Sequence, residues 1–436
     1  MSADLLYSET ERDLAAALAD LLADRAAPAD VIARTERTEA YDVKLWRTVA
    51  AEIGVAGLLI PEALGGAGAS YRELAAAAEQ FGAFAAPIPY LGSAAIATAA
   101  LLSAARSSAA ADDRPAAAAA DDQGGFGSAA SGPAAALRAA QLRAAAHAPA
   151  AGATSGTRAA PVSPAAGLLR RLADGSLTAA LAVTTATRSG TPFPALARVT
   201  GRGAADSGTV KLTGAIPAVT DALPADVLLV PADGVPSALY LVEATAPGVH
   251  RTPLVSLDMT RQLCDITLDN APARQVAVGA AAEAAVSAGL AAGAGILAAE
   301  QLGLAQRCLD LTVEYVKERR QFGRPIGSFQ ALKHRLADLW TTITLARAAS
   351  RYAAACLADD DQDTPVAIAL AKSACCEAAV SAAQECVQLH GGIGFTWEHP
   401  AHLYLKRAKA ASVAIGTPGA HRAALAALVD LPAPDA

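Results

Sequence analysis

The sequence predicts an α+β chain in which an N-terminal helical domain, a central β domain and a C-terminal four-helix bundle follow one another. Three observations predict it: apolar side chains at helical spacing near the N-terminus, a change to short β-type runs between about 176 and 272, and long helical stretches beyond about 275.

Residues 1–105 read as the N-terminal helical domain. Leu14, Leu18, Leu21 and Leu22 recur at helical spacing between Glu11 and Arg25, and Trp46, Val49 and Ile53 repeat the pattern. Leu58-Leu59-Ile60-Pro61-Glu62 leads into the flexible turn Gly65-Gly66-Ala67-Gly68, after which a helix is expected from Tyr71 to Phe81. Residues 106–167 read as an Ala-rich insertion or linker with some helix, because residues 101–150 hold 22 alanines and few large apolar side chains. Residues 168–272 form the expected β domain, with short runs such as 181–184, 210–212, 225–230, 238–242 and 264–268 punctuated by Gly, Pro and Asp. Residues 273–436 close the chain as the helical bundle, from Leu302, Leu304, Cys308 and Leu309 through Leu332, Leu336, Leu339 and Ile343.

Composition excludes several function classes. Of 436 residues, 53% are hydrophobic, but 118 are alanine, about 27%, so large apolar residues are ordinary in number. The uncharged windows 81–105 and 284–299 are built of small residues or broken by Pro87 and Pro89, so no membrane pass is expected. The acidic start MSADLLYSETERD lacks signal-peptide character, so no secretion is expected and the cytoplasm is the expected compartment. A net charge of −7 argues against a nucleic-acid partner. Six cysteines without a CxxC pair read as small buried apolar residues, with no metal site or disulfide framework.

Two C-terminal motifs carry chemistry. Glu318-Arg319-Arg320-Gln321-Phe322-Gly323-Arg324-Pro325-Ile326 is followed by Phe329-Gln330, and Gln388-Leu389-His390-Gly391-Gly392-Ile393-Gly394-Phe395 comes about 65 residues later. An arginine at a helix end offers forked donors to a pyrophosphate, and a glycine pair lets backbone approach a flat or anionic ligand. The bland alternative is a surface ion pair and a helix stop. Together the motifs resemble the acyl-CoA dehydrogenase family, and Trp46 to Leu91, including Ile60 to Gly66, is similar to that family's first helical domain. The resemblance implies that Arg319, Gln321, Phe322, Gln330, Gln388, Leu389, Gly391 and Gly392 contact the FAD of a neighbouring subunit.

Elsewhere the family pattern is broken. The family usually carries its catalytic base as a glutamate in a Tyr-Glu-Gly-Thr-like segment, where this chain reads Ala414-Ile415-Gly416-Thr417. Some members place the base ten residues before the glycine of a Gly-Leu-Ala-Gln-like segment, and counting back from Gly303 gives Gly293, followed by Ala294. Neither residue can accept a proton, so no catalytic residue is assigned. Glu283 and Glu300, the nearest carboxylates, read as solvated or structural. The loop expected to wrap thioester and flavin keeps only Thr184 of its pattern, and the strand expected to carry an indole keeps Thr220 but has Ala218 in the indole's place. Glu398 and His399, with His402, read as packing or subunit contacts rather than a catalytic couple. Lys406, Arg407 and Lys409 read as a solvated helix face or a contact for a partner's phosphates.

These features imply a subunit that completes the FAD site of an α,β-dehydrogenating acyl-CoA dehydrogenase without its own base, partnered with a catalytic subunit in a heterotetramer. Acyl-CoA and an electron-transfer flavoprotein are the further implied partners. Two other readings stay open: a self-sufficient FAD-dependent dehydrogenase or oxygenase of the same fold, as a homo-oligomer with an unconventional base, and a degenerate scaffold that binds no cofactor.

Overall fold

A computed structural model describes residues 4–37, 41–112, 164–202, 208–234 and 236–431. The expected insertion lies largely outside the described residues, since 113–163 are not among them.

The N-terminal layer is helical. Helices α1 (Glu9–Arg25), α2 (Pro28–Thr35), α3 (Val43–Arg47), α4 (Tyr71–Ala83) and α5 (Thr98–Asp112) come before the insertion, and α6 (Pro164–Ala173) follows it. Reciprocal caps start two of them: Ser8 with Glu11 for α1, and Ser70 with Glu73 for α4. Arg72 of α4 then pairs with Glu11 of α1 at 2.6 Å, so one cap also joins two helices.

The β domain is a closed ring rather than an open sheet. Strands β1 (Ala179–Leu181), β2 (Ala197–Arg202), β3 (Thr209–Thr220), β4 (Val227–Asp233), β5 (Ala238–Glu243), β6 (Val249–Pro253) and β7 (Leu263–Val278) are mostly antiparallel. The pairings β4–β2, β2–β3, β3–β7, β7–β5 and β5–β4 close on themselves, with β1 beside β4 and β6 beside β7. Leu212, Ile216, Leu228, Val230, Cys264 and Ile266 fill its own apolar core, as period-2 strands with one buried face require. Strand β7 passes residue 272 and ends at Val278.

The C-terminal part comprises α7 (Ala280–Glu318), a small hairpin β8 (Arg320–Gln321) and β9 (Arg324–Pro325), α8 (Gln330–Asp359), α9 (Thr364–His390), α10 (Ala401–Val413) and α11 (Pro418–Leu428). α7, α8, α9 and α10 pack as a bundle, with α11 against α9. α7 and the stretch Thr364–Phe395 are long and apolar enough to cross a membrane by length and composition, but 61% and 67% of their most apolar windows are buried here. Small residues make this burial tight. A Cβ on Gly82 of α4 would stand 1.9 Å from the Glu300 carbonyl oxygen, and one on Gly303 would stand 1.8 Å from that of Glu79. Only glycine permits this crossing of α4 and α7. All six cysteines are buried free thiols.

Candidate functional site

α7 ends with Tyr315 and Arg319, and the chain reverses through the β8–β9 hairpin. Phe322 (φ 53°) and Gly323 (φ 77°) are its central residues, the two positive φ values that a tight two-residue hairpin demands. On the facing wall α9 ends at His390, and Gly391 (φ 62°) terminates it. Between these walls lies an open groove of about 660 Å³. Arg319, Gln321, Gln388, Leu389, Gly391 and Gly392 line it together with Tyr315, Ile326, Leu332, Arg335, His390 and Ile393.

Two residues of the expected set lie outside that lining. Phe322 stands at the hairpin tip, 90% exposed and edge-on to Phe329, while Gln330 opens α8 and is exposed. Arg335 is paired with Glu385 at 2.7 Å, whereas the Arg319 side chain has no hydrogen-bond or ion-pair partner among the described residues. A Cβ on Gly392 would meet nothing within 4 Å, so the chain's own packing does not require glycine there. A free guanidinium beside open backbone suits an anionic, flat ligand.

Sequence reasoning missed Tyr315, Arg335 and His390 as groove residues, although His390 lies inside the quoted motif. The His390 ring is held between Tyr315 (4.4 Å between centroids) and His399 (4.1 Å), and its Nδ1–H donates to the Cys386 carbonyl at 2.6 Å. Glu398 is exposed, and His402 packs edge-on to Trp397, over which Lys406 rests at 4.0 Å. Burial pushes His399 and His402 below the usual histidine pKa.

The second place of interest is narrow. Thr184 and Thr220 help line a pocket of about 20 Å³ with Gly92, Ile96, Leu181, Val183, Leu290 and Ile415. That is room for about one water. The two flanking segments are tied to each other: Ile415 N–H donates to the Thr185 carbonyl at 2.6 Å, and the Thr185 and Thr220 hydroxyls lie 2.9 Å apart. His421 Nε2–H donates to the Ile415 carbonyl at 2.8 Å. Ile415 has φ 54°, a conformation that strains a β-branched residue by about 1–2 kcal/mol and is held by those bonds.

Between the three layers runs a buried charge network. Glu300 of α7 accepts from Arg407 Nε of α10 at 2.8 Å, from Arg261 Nη2 of the β domain and from the Tyr90 hydroxyl of the N-terminal layer. Arg407 also reaches Thr260 Oγ1 at 2.7 Å and Asp258 at 3.5 Å. Asp221 accepts from Tyr41 OH at 2.6 Å and Gly92 N–H at 2.9 Å. Burial pushes the Glu300 carboxyl up, but Arg261 and then Arg407 overcome this and hold it at about 2. Arg407 is fully buried, which corrects its reading as part of a solvated face or a phosphate contact; its charge is spent inside the fold.

Comparison with known proteins places this architecture. The N-terminal domain profile of acyl-CoA dehydrogenases matches residues 8–109 and the C-terminal domain profile matches 283–429. Acyl-CoA dehydrogenase IpdE2 of Mycobacterium tuberculosis is 33% identical over 94% of both chains. The chain belongs to the acyl-CoA dehydrogenase family. Among solved structures of the family, it is similar to the ChsE4-ChsE5 complex from Mycobacterium tuberculosis, with 27% identity, TM-score 0.74 and coverage of 99% of this chain and 100% of that one. It is also similar to a variant of the Tcur3481-Tcur3483 steroid ACAD, with 27% identity, TM-score 0.72 and coverage of 97% and 98%. Against the acyl-CoA dehydrogenase frame, the narrow pocket gains meaning. A Cβ on Gly293 would stand 2.9 Å from Ile415 Cδ1 and 2.7 Å from Ile96 Cγ1. The two positions where the sequence reading looked for a base, 293 and 415, therefore lie side by side, with the Ile415 and Ile96 side chains between them.

Proposed function

We propose that this chain is the non-catalytic subunit of a heteromeric acyl-CoA dehydrogenase, contributing its groove to an FAD held chiefly by a catalytic partner subunit. The observation that carries the reading is the contrast between a groove of about 660 Å³ with an unpartnered Arg319 and a narrow pocket of about 20 Å³ whose lining holds no carboxylate. The 20 Å³ space excludes a flavin ring and an acyl chain, whereas the groove offers donors and Cβ-free backbone to a nucleotide. The similar ChsE4-ChsE5 structure is itself a complex of two chains, and the similar Tcur3481-Tcur3483 protein is a steroid ACAD, which supports a bulky acyl-CoA as the substrate of the assembly.

In this reading Arg319 neutralises the pyrophosphate, and Gly391 and Gly392 admit the nucleotide against backbone. Phe322, exposed at the hairpin tip, and Gln330, at the start of α8, extend the same contact surface toward the partner. Ile415 and Ile96 fill this chain's own pocket where an acyl chain would need room. Bound FAD supplies the hydride acceptor for α,β-dehydrogenation, with an electron-transfer flavoprotein as the onward acceptor.

The test is turnover with an artificial electron acceptor across acyl-CoA chain lengths. The chain alone is expected to be inactive, since loss of a general base typically costs about 10²–10⁴-fold. Co-assembly with a family member that retains the glutamate should give robust activity. Robust turnover by the verified homomer would contradict the proposal.

A further inference from the structure

The histidine in the second motif is built differently from its neighbours in the groove. His390 is 3% exposed, yet its ring lines the groove wall. Because Nδ1–H is committed to the Cys386 carbonyl at 2.6 Å, and the ring is clamped between Tyr315 and His399, its tautomer and orientation are fixed. Nε2 is left as the ring's second polar atom, with no partner among the described residues. In the neutral ring Nε2 is an acceptor, which opposes a phosphate oxygen; in the charged ring it is a donor, which binds one.

We infer that His390 is a proton-gated ligand for a phosphate of the nucleotide in the groove, so that the site holds its flavin more tightly when this ring is charged. The inference rests on the flavin-completing reading. Groups facing the ring come from every packed element. From α7 these are Cys308, Tyr315 and Arg319; from α8, Arg335, neutralised by Glu385 of α9. Cys386 lies below on α9, with its Sγ 3.7 Å from Nδ1, and His399 and His402 lie beyond the glycine pair. Burial pushes the His390 pKa down, but hydrogen bonding to the Cys386 side chain and carbonyl, with the negative charge of a Cys386 sulfur that its hydrogen bond from Cys308 holds below the usual thiol range, outweighs it and raises the value above 6.5. His399, 4.1 Å away, is pushed the other way by burial and by the charge of His390 itself, so it favours the neutral form when His390 is charged. Affinity is therefore high while His390 is protonated and falls as pH rises through its raised pKa.

The experiment uses the flavin-stripped complex of the full chain with its partner and follows FAD binding by calorimetry between about pH 6 and pH 9, in two buffers of different ionisation enthalpy. FAD is the probe because its pyrophosphate has no titration near neutrality. Wild type should take up protons on binding and lose about tenfold in affinity toward the alkaline end. His390→Asn keeps an amide donor for the Cys386 carbonyl but lacks the second pole, and should bind at the weak level at every pH without proton uptake. Absence of proton uptake in wild type, or an unchanged profile in His390→Asn, overturns the inference. If Arg319→Ala weakens FAD while His390→Asn does not, the flavin-completing reading survives and the role of His390 falls. If neither substitution matters, both fall.

Discussion

Replacing Glu300 by glutamine tests how the three layers are held together. The carboxylate has no solvent exposure and pairs with both Arg407 and Arg261 while accepting from the Tyr90 hydroxyl. Glutamine keeps the shape but leaves two buried guanidinium groups facing a neutral amide, with Asp258, 3.5 Å from Arg407, and Asp221, whose charge acts on Arg261, as the remaining carboxylates. Breaking a buried pair from one side typically costs about 3–5 kcal/mol, and because the two pairs share one carboxylate their losses do not add. Unfolding free energies of wild type and Glu300→Gln from urea titrations, followed by near-ultraviolet circular dichroism, should therefore differ by about 3–5 kcal/mol near pH 7. The pH dependence has a definite sign. Glu300 is held at about 2 against an ordinary 4.5, so its stabilisation is present above the ordinary value and is lost as pH falls toward 2. Asp221, raised by burial, acts in the opposite sense, but it is present in both proteins and cancels in the difference. A difference under about 1 kcal/mol near pH 7, or one that does not shrink in acid, would refute the reasoning.

Two further substitutions probe the packing of the narrow pocket and the helix crossing. Ile415→Glu places a carboxyl in a pocket of about 20 Å³, against Gly293 and Ile96; it should lower stability by on the order of 3 kcal/mol and create no dehydrogenase activity in the chain alone, as read by denaturation and turnover. Gly82→Ala drives a methyl to 1.9 Å from the Glu300 carbonyl oxygen, so α4 and α7 must separate; a loss of about 1–3 kcal/mol or more in urea is expected.

The legible parts of the molecule were those written in local pattern. The change of period near 176 announced the β ring, and the spacing of Arg319, Gln321, Gln388 and Gly391-Gly392 announced one wall of a groove and the other. The lack of a carboxylate at residues 415 and 293 was also legible, because it is a matter of side-chain identity at two positions. What sequence could not give was their meeting point, since the proximity of residue 293 to residue 415 is created by how α7 packs under the segment after α10. The charge network was illegible for a related reason. Tyr41, Tyr90, Asp221, Asp258, Arg261, Glu300 and Arg407 come from separate segments, and each looks like an ordinary polar residue where it stands. Arg407 was hidden by its neighbours: successive residues on a helix point about 100° apart, so Lys406 turns to Trp397 and Lys409 to solvent while Arg407 turns inward.

The most direct measurement of the central claim is the FAD content of the intact heteromer, read by flavin absorbance, in wild type, Arg319→Ala and Gly392→Val. Removing the Arg319 guanidinium should lower flavin affinity roughly ten- to a hundredfold, the worth of a charge-assisted bond of about 1.5–3 kcal/mol. Gly392→Val should lower it further by obstructing close backbone approach, while this chain's own fold is unchanged, since a Cβ there meets nothing in it. Full flavin occupancy in both variants, with the heteromer intact, would contradict the account.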